Sequence, residues 1–176
     1  MQYCISYFIW YWVNRVIKIH KTAKISQICD IEDSIQGSLI QIGANSNIDS
    51  FVKIKPAGGT GNIKIGDRVH INSCCVLYSG NGISIGDDVL IAANCTIAPV
   101  NHQYCKKNKR ISEQGHAKSK GGITIENNVW IGSNTVILDG SYICSGSVIA
   151  AGSVVRGKCE GNCVFGGNPL KKIKPI

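Results

Sequence analysis

The sequence predicts an all-β fold: a three-sided prism of stacked parallel coils, with an apolar N-terminal segment and one long excursion from its flank. Three observations carry that expectation. From Ile125 to Glu160 one six-residue unit recurs as IENNVW, IGSNTV, ILDGSY, ICSGSV, IAAGSV and VRGKCE. Each unit opens on Ile or Val, and its fifth residue (Val129, Thr135, Ser141, Ser147, Ser153 or Cys159) is small or β-branched. The two residues before the fifth are mostly Asn, Gly, Asp, Ser or Ala, which is turn chemistry. A period of six matches neither a helix nor an alternating strand, so each unit is a short extended segment followed by a bend. Three units close a coil, and stacked coils align their Ile positions in an internal aliphatic column.

The N-terminal element, residues 1–24, differs in character. Tyr3 to Val13 reads YCISYFIWYWV and is followed by Arg15, Lys18, His20, Lys21 and Lys24. A bilayer span needs about 20 apolar residues, so this run is too short to cross. Two readings stay open: a capping helix over the open end of the prism, or peripheral membrane contact through residues 3–13, with Trp and Tyr at the headgroups and basic residues on anionic lipid.

The prism occupies residues 25–176. Its phase reads upstream as IGANSN and IDSFVK from Ile42, IGDRVH and INSCCV from Ile65, and IGDDVL and IAANCT from Ile85. Ile42 to Ile65 is 23 residues and Ile65 to Ile85 is 20, so the surplus over a regular coil bulges at PAGGTGN and SGNG. Ile85 to Ile125 is 40 residues, which fits two coils with extra residues or one coil with a 22-residue excursion. The excursion is favoured. Residues 101–122, NHQYCKKNKRISEQGHAKSKGG, hold one candidate core aliphatic, Ile111, and so long a loop in a compact domain is usually functional.

These repeats, with the runs IGDDVLIAANCTIAPVNH, NNVWIGSNTVILDG, AGSVV and GGNPLKKIK, resemble the hexapeptide-repeat acyltransferases, specifically the maltose and galactoside O-acetyltransferase group. Bacterial capsule and lipopolysaccharide O-acetyltransferases share the signature. The resemblance covers roughly residues 25–176 and implies a left-handed parallel β-helix. It implies acetyl-CoA as donor with no metal required, and a homotrimer holding the donor between neighbouring prisms. A prism has flat faces and little depth, so a second wall is physically reasonable.

Composition fits one soluble cytoplasmic domain, with the inner face of the membrane as a location only if the N-terminal segment touches lipid. Nine cysteines in a small chain raise the question of disulfides, but the number is odd, no CxxC pair occurs and no secretory signal is present. Cys75, Cys95 and Cys159 fall at the fifth hexad position, where a thiol serves as compact filler. Cys105, in the basic excursion, is the one thiol whose surroundings could lower its pKa. The net charge is +8. Lys106, Lys107, Lys109, Arg110, Lys118 and Lys120 face only Glu113 in the excursion, while Lys171, Lys172 and Lys174 crowd the C-terminus. The latter suits coenzyme A phosphates and the former a polyanionic glycan, or both are solvated faces. Nucleic acid is excluded by the lack of any recognition module or aromatic platform.

Of the four histidines, His102 stands where chemistry needs one, directly after IAPVN. Acyl transfer from a thioester to a hydroxyl requires a base for the hydroxyl proton, and an imidazole with free pKa of about 6.5 suits neutral pH. His102 also matches the family's catalytic histidine; His116, in the same loop, is the reserve. The resemblance further implies Asn72 as a ligand of the acceptor sugar, Trp130 beside the pantetheine arm, and Ser133 and Ala151 as backbone contacts to coenzyme A. Lys174 falls near the nucleotide end. Arg156 and Gly157 replace the family's Thr-Lys, and Arg156 is the candidate phosphate contact. The leading function is therefore an acetyl-CoA-dependent O-acetyltransferase acting on a sugar hydroxyl of a bacterial surface glycan or its precursor. A sugar N-acetyltransferase on a nucleotide-linked amino sugar and a non-catalytic scaffold are the alternatives. A γ-type carbonic anhydrase is excluded, because its zinc site needs two histidines close in sequence and no His-x4-His occurs.

Overall fold

In the computed structural model, which describes residues 17–176, the first and fifth residues of the hexads point inward and are buried. The expected capping helix and membrane contact of residues 3–13 lie outside the described residues. Strand hydrogen bonding builds three parallel faces. The first face carries Ile17–Ile19, Ile40–Ile42, Ile63–Ile65, Ile83–Ile85, Ile123–Ile125, Tyr142–Ile143 and Lys158–Cys159. The second carries Lys24–Ile25, Asn47–Ile48, His70–Ile71, Leu90–Ile91, Trp130–Ile131, Val148–Ile149 and Cys163–Gly166. The third carries Asp30–Ile31, Lys53–Lys55, Val76–Tyr78, Thr96–Ala98, Val136–Leu138 and Val154–Val155. The strand Lys171–Pro175 folds back antiparallel on Cys163–Gly166 and closes the C-terminal end.

Among the described residues the parallel pairing already includes Ile17–Ile19, which lie ahead of residue 25 and pair with Ile40–Ile42. Pairing of Ile83 with Ile123 and Ile85 with Ile125 makes the 40-residue gap one coil with an excursion. Ile111 is exposed in that excursion and contributes nothing to the core.

The fourth hexad position makes the corners. Asn45, Phe51, Arg68, Cys74, Asp88, Asn94, Asn128, Asn134, Gly140, Gly146 and Gly152 all adopt positive φ there. Asn, Asp and Gly tolerate that region best, which is why the sequence favours them at this place. Coils stack tightly enough that a Cβ on Gly66 would lie 2.6 Å from the Gly86 carbonyl carbon.

Small fifth residues face the axis and hand their polar atoms to the next coil. The Ser141 hydroxyl donates to the Val155 carbonyl at 3.1 Å, and the Cys95 thiol sits 3.3 Å from the Gly132 carbonyl. Cysteine thus replaces serine as a small group with a weak donor. Burial pushes the Cys159 thiol up to about 11, which keeps it protonated and unreactive.

The outward columns differ between faces. On the first face they read Lys18, Gln41, Lys64, Ser84, Thr124, Tyr142 and Lys158, a polar surface. On the second, in register, they run His70, Leu90, Trp130, Val148, Val164 and Lys174. That column is polar at one end, apolar in the middle and cationic at the other. No helix among the described residues is long and apolar enough to cross a membrane.

Charge pairs tie successive coils. Arg68 grips Asp88 through two bonds of 2.7 and 2.9 Å, and Glu126 accepts from the Tyr142 hydroxyl and from the Ser145 amide at 2.8 Å. The Arg68 bond holds Asp88, and the Tyr142 bond holds Glu126, below the usual carboxylate range; Lys172 does the same for Glu160. A carboxylate depressed in the folded state stabilises it above its unfolded pKa and loses that contribution as pH falls through the folded value. Denaturant midpoints are therefore expected to be flat between about pH 5 and 7 and to drop below about pH 4. High salt should shrink that drop, since the pairs are exposed. A midpoint that stays level down to pH 3 overturns this account.

Candidate active site

The excursion leaves the third face after Ala98 and rejoins the first at Ile123, so it stands on the edge between those faces. It is folded back on itself. The Ala117 amide donates to the Asn101 carbonyl at 2.8 Å and the Gln103 amide to the Gly115 carbonyl at 2.9 Å, so two limbs run antiparallel. His102 lies opposite His116 across this pair, with ring centroids 4.9 Å apart and planes tilted by 32°. At the tip, Gln114 closes the loop through bonds to the Lys106 amide and the Lys109 carbonyl.

Asp139 fastens the loop's root. It follows the third-face strand Val136–Leu138 and is only 4% exposed. Its carboxylate accepts from the Lys120 amide at 2.8 Å, the Gly122 amide at 3.0 Å and the Asn81 side-chain amide at 3.3 Å. Those three bonds join the returning limb, the SGNG bulge and the following coil. Buried carboxylates persist only when paired in this way.

Two concavities flank the excursion. On its C-terminal side an open cleft of about 430 Å³ is lined by His102, Tyr104, Lys118, Lys120, Asp139 and Arg156. On its N-terminal side a smaller pocket of about 100 Å³ is formed by His116, Asn81, Val100, Gly58 and Gly59. The two imidazoles stand between them. Around His102 the field is cationic, since Arg110 is paired with Glu113 while Lys118, Lys120 and Arg156 point to the same side without an acid partner among the described residues.

The sequence-derived site residues fall into two groups on different edges. His102 and Arg156 share the cleft on the edge between the third and first faces. Asn72, Ser133 and Ala151 occupy the corners between the second and third faces, and Trp130 stands beside them on the second face, 53% exposed. Lys174 lies at the cationic end of the same face, paired with Val164. Within one chain the two groups are on separate edges of the prism. The face carrying Trp130 runs from an apolar stretch, Leu90, Trp130, Val148 and Val164, to the lysine-rich final strand.

Sequence reasoning missed Asp139 and the contact between the histidines. Asp139 had one faint signal, being the only acidic residue at the third place of the six C-terminal hexads. The contact had none, because loop pairing is not written in a local period.

Stacked three-sided coils with a long histidine-bearing excursion on one edge are the architecture of the hexapeptide-repeat transferases. The family model described as "Bacterial transferase hexapeptide (six repeats)" matches residues 122–157. The chain is 39% identical over 155 residues to the galactoside O-acetyltransferase of Escherichia coli K12, spanning 86% of this chain and 71% of that one. A second protein of that strain, provisionally named a lipopolysaccharide biosynthesis O-acetyl transferase, is 33% identical over 139 residues, 76% of this chain and 71% of the relative. Among solved structures, a variant of AntD, an N-acyltransferase from Bacillus cereus, in complex with dTDP-4-amino-4,6-dideoxyglucose and coenzyme A superposes with a TM-score of 0.76 at 23% identity, covering 91% of this chain and 83% of that one. This chain belongs to the bacterial hexapeptide transferases, with their left-handed parallel β-helix, and is an acetyltransferase enzyme.

Proposed function

We propose that this enzyme transfers an acetyl group from acetyl-CoA to a hydroxyl of a bacterial surface glycan or its precursor, with His102 as general base. The observation that carries the reading is the pairing of an exposed imidazole, on a loop fastened by Asp139, with a separate apolar-to-cationic face. One serves the proton and the other the donor. Because the two lie on different edges of one prism, the complete site forms between copies, as a homotrimer provides. The galactoside and lipopolysaccharide relatives support a sugar acceptor.

Acetyl-CoA supplies an acetyl group already activated as a thioester. His102 accepts the acceptor's hydroxyl proton as the oxygen–carbon bond forms, then returns it to the departing thiol sulfur as the carbon–sulfur bond breaks. Atoms and charge balance without a covalent enzyme intermediate. Asn72 orients the acceptor, Trp130 packs the pantetheine arm, Ser133 and Ala151 offer backbone groups, and Arg156 and Lys174 meet phosphates. The AntD complex holds an amino sugar, which supports an amine acceptor as the second reading, and paired assays on hydroxyl and amino sugars separate the two.

Coenzyme A is expected to raise the melting temperature by mass action, since it binds only the folded state. At a hundredfold excess over Kd the gain is about 2.7 kcal/mol. Trp130→Ala should shrink that shift while leaving the assembly intact on size exclusion. An unchanged midpoint at saturating coenzyme A counts against the donor assignment. If Trp130→Ala leaves the shift intact but dissociates the subunits, Trp130 belongs to the interface instead.

A further inference from the structure

Phe51 is out of place by every local rule of this fold. It sits at the fourth position of IDSFVK, the corner between the second and third faces, with a φ of 61°. An L-residue there brings its Cβ against the following carbonyl, and bulky side chains avoid the region. Neighbouring coils use Cys74, Asn94, Asn134 and Gly152 at the same corner. Nor does burial offset the strain, because Phe51 is 61% exposed. The prism needs this ring neither for its core nor for its turn. Strain kept at an exposed position is a pointer to function.

The surroundings give the chemistry. Asp49, two residues earlier, accepts from the Ser50 amide at 2.7 Å and from the Ser73 hydroxyl at 2.6 Å. Those bonds, Ser73 first, hold the Asp49 carboxyl below its usual range, so it is ionised and acceptor-only. Ser50 and Ser26 lie hydroxyl to hydroxyl at 3.0 Å on the coil below. Asn72, exposed, occupies on the next coil the same hexad place as Asp49, about 4.8 Å along the edge, the spacing of paired strands. One edge therefore presents a flat apolar ring beside a carboxylate, hydroxyls and an amide.

A pyranose ring needs that combination. Its C–H face carries slight positive charge and packs on the negative face of an aromatic ring, while its hydroxyls donate to carboxylate and amide oxygens. An anionic headgroup or a sulfated or phosphorylated sugar would meet the Asp49 charge and be repelled. We propose that Phe51, with Asp49 and Asn72, forms a stacking subsite for an uncharged pyranose of the acceptor. This rests on the glycan reading above and adds to it the platform and the charge of the sugar.

The test uses the full chain, acetyl-CoA and a panel of p-nitrophenyl pyranosides, neutral and carrying a carboxylate. Phe51→Asn places a residue that suits positive φ, so the melting temperature should rise by about 2–4 °C. The same change should raise the acceptor KM about tenfold, the upper end of an aromatic contact, with kcat and the acetyl-CoA KM unchanged. Phe51→Trp should keep the wild-type acceptor KM, and neutral pyranosides should outperform uronides. An unchanged acceptor KM in Phe51→Asn overturns the subsite. So does a change of oligomeric state, which makes Phe51 a subunit contact, or selective loss of binding to phosphatidylglycerol vesicles, which makes it a lipid contact. Failure of the underlying reading looks different: the wild type then acetylates no pyranoside at all.

Discussion

His102→Ala is expected to lower kcat by about 10²- to 10⁴-fold, the usual cost of removing a general base. Folding should be untouched, because the imidazole is exposed on the excursion and no inward hexad position depends on it. Oligomeric state and the coenzyme A melting shift should likewise survive, since the proposed donor contacts come from Trp130, Ser133, Ala151 and Lys174 and not from the imidazole. The choice of control follows from the geometry. With ring centroids 4.9 Å apart, His116→Ala removes both a titratable group and a wall of the base. His116→Phe keeps a planar ring against His102 and deletes only the proton chemistry, so it is the matched comparison and should stay within a few-fold of wild type. If His102→Ala turns over at near wild-type rate while His116→Phe does not, the base has been assigned to the wrong member of the pair.

Much of this was legible because the fold is written in a period. An aliphatic first residue and a small residue four further on determine which side chains meet the axis, and in the uninterrupted run from Ile125 to Cys159 every such position is buried as the pattern requires. The spacing left two ways of dividing 40 residues; the near absence of core aliphatics from residues 101–122 favoured the excursion, and the pairing of Ile85 with Ile125 bears it out. The strand Ile17–Ile19 fell outside the expected prism for a physical reason: the inward residues of this first coil, Ala23, Ile25, Cys29 and Ile31, are only partly covered, and charged residues surround them, so the apolar rhythm is weak. The site was legible as a set of residues but not as an arrangement. Hexad phase says that Trp130 points outward; it does not say that the next outward residues along the second face are Leu90 and Val148. That column emerges only from pairing between coils distant in sequence. His116 and Asp139 were invisible as partners because loop closure and a buried carboxylate depend on side chains meeting in space.

The separation of His102 from the Trp130 face bears on how activity depends on concentration. If each site takes its base from one prism and its donor wall from another, mixing inactive His102→Ala with inactive Trp130-face variants can restore some sites. A site contained in one chain cannot be rescued so. Outward positions on the first face are polar, whereas the second and third carry Leu90, Val76, Val136 and Leu138 outward.

Asp139→Ala is expected to produce the second large effect, and by a different route. The substitution leaves the Lys120 and Gly122 amides without their acceptor and frees the Asn81 amide. Hydrogen bonds to a charged group are worth about 1.5–3 kcal/mol each. Water can reach a loop root once it opens, so the net loss should be nearer 2–3 kcal/mol and confined to the excursion. Opening of the excursion then rises by roughly 30- to 150-fold. Trypsin reads this directly, because the segment holds Lys106, Lys107, Lys109, Arg110, Lys118 and Lys120. Cleavage there should accelerate by that order while the remaining prism, paired on all three faces, stays resistant. Turnover should fall by about 10²-fold, since a base displaced by an ångström loses most of its advantage. Asp139→Asn, which retains one oxygen acceptor in the same volume, should lie between wild type and alanine on both scales. If Asp139→Ala cuts no faster and acetylates as well as wild type, the carboxylate does not hold the loop, and the position of His102 must be set by its pairing with His116 alone.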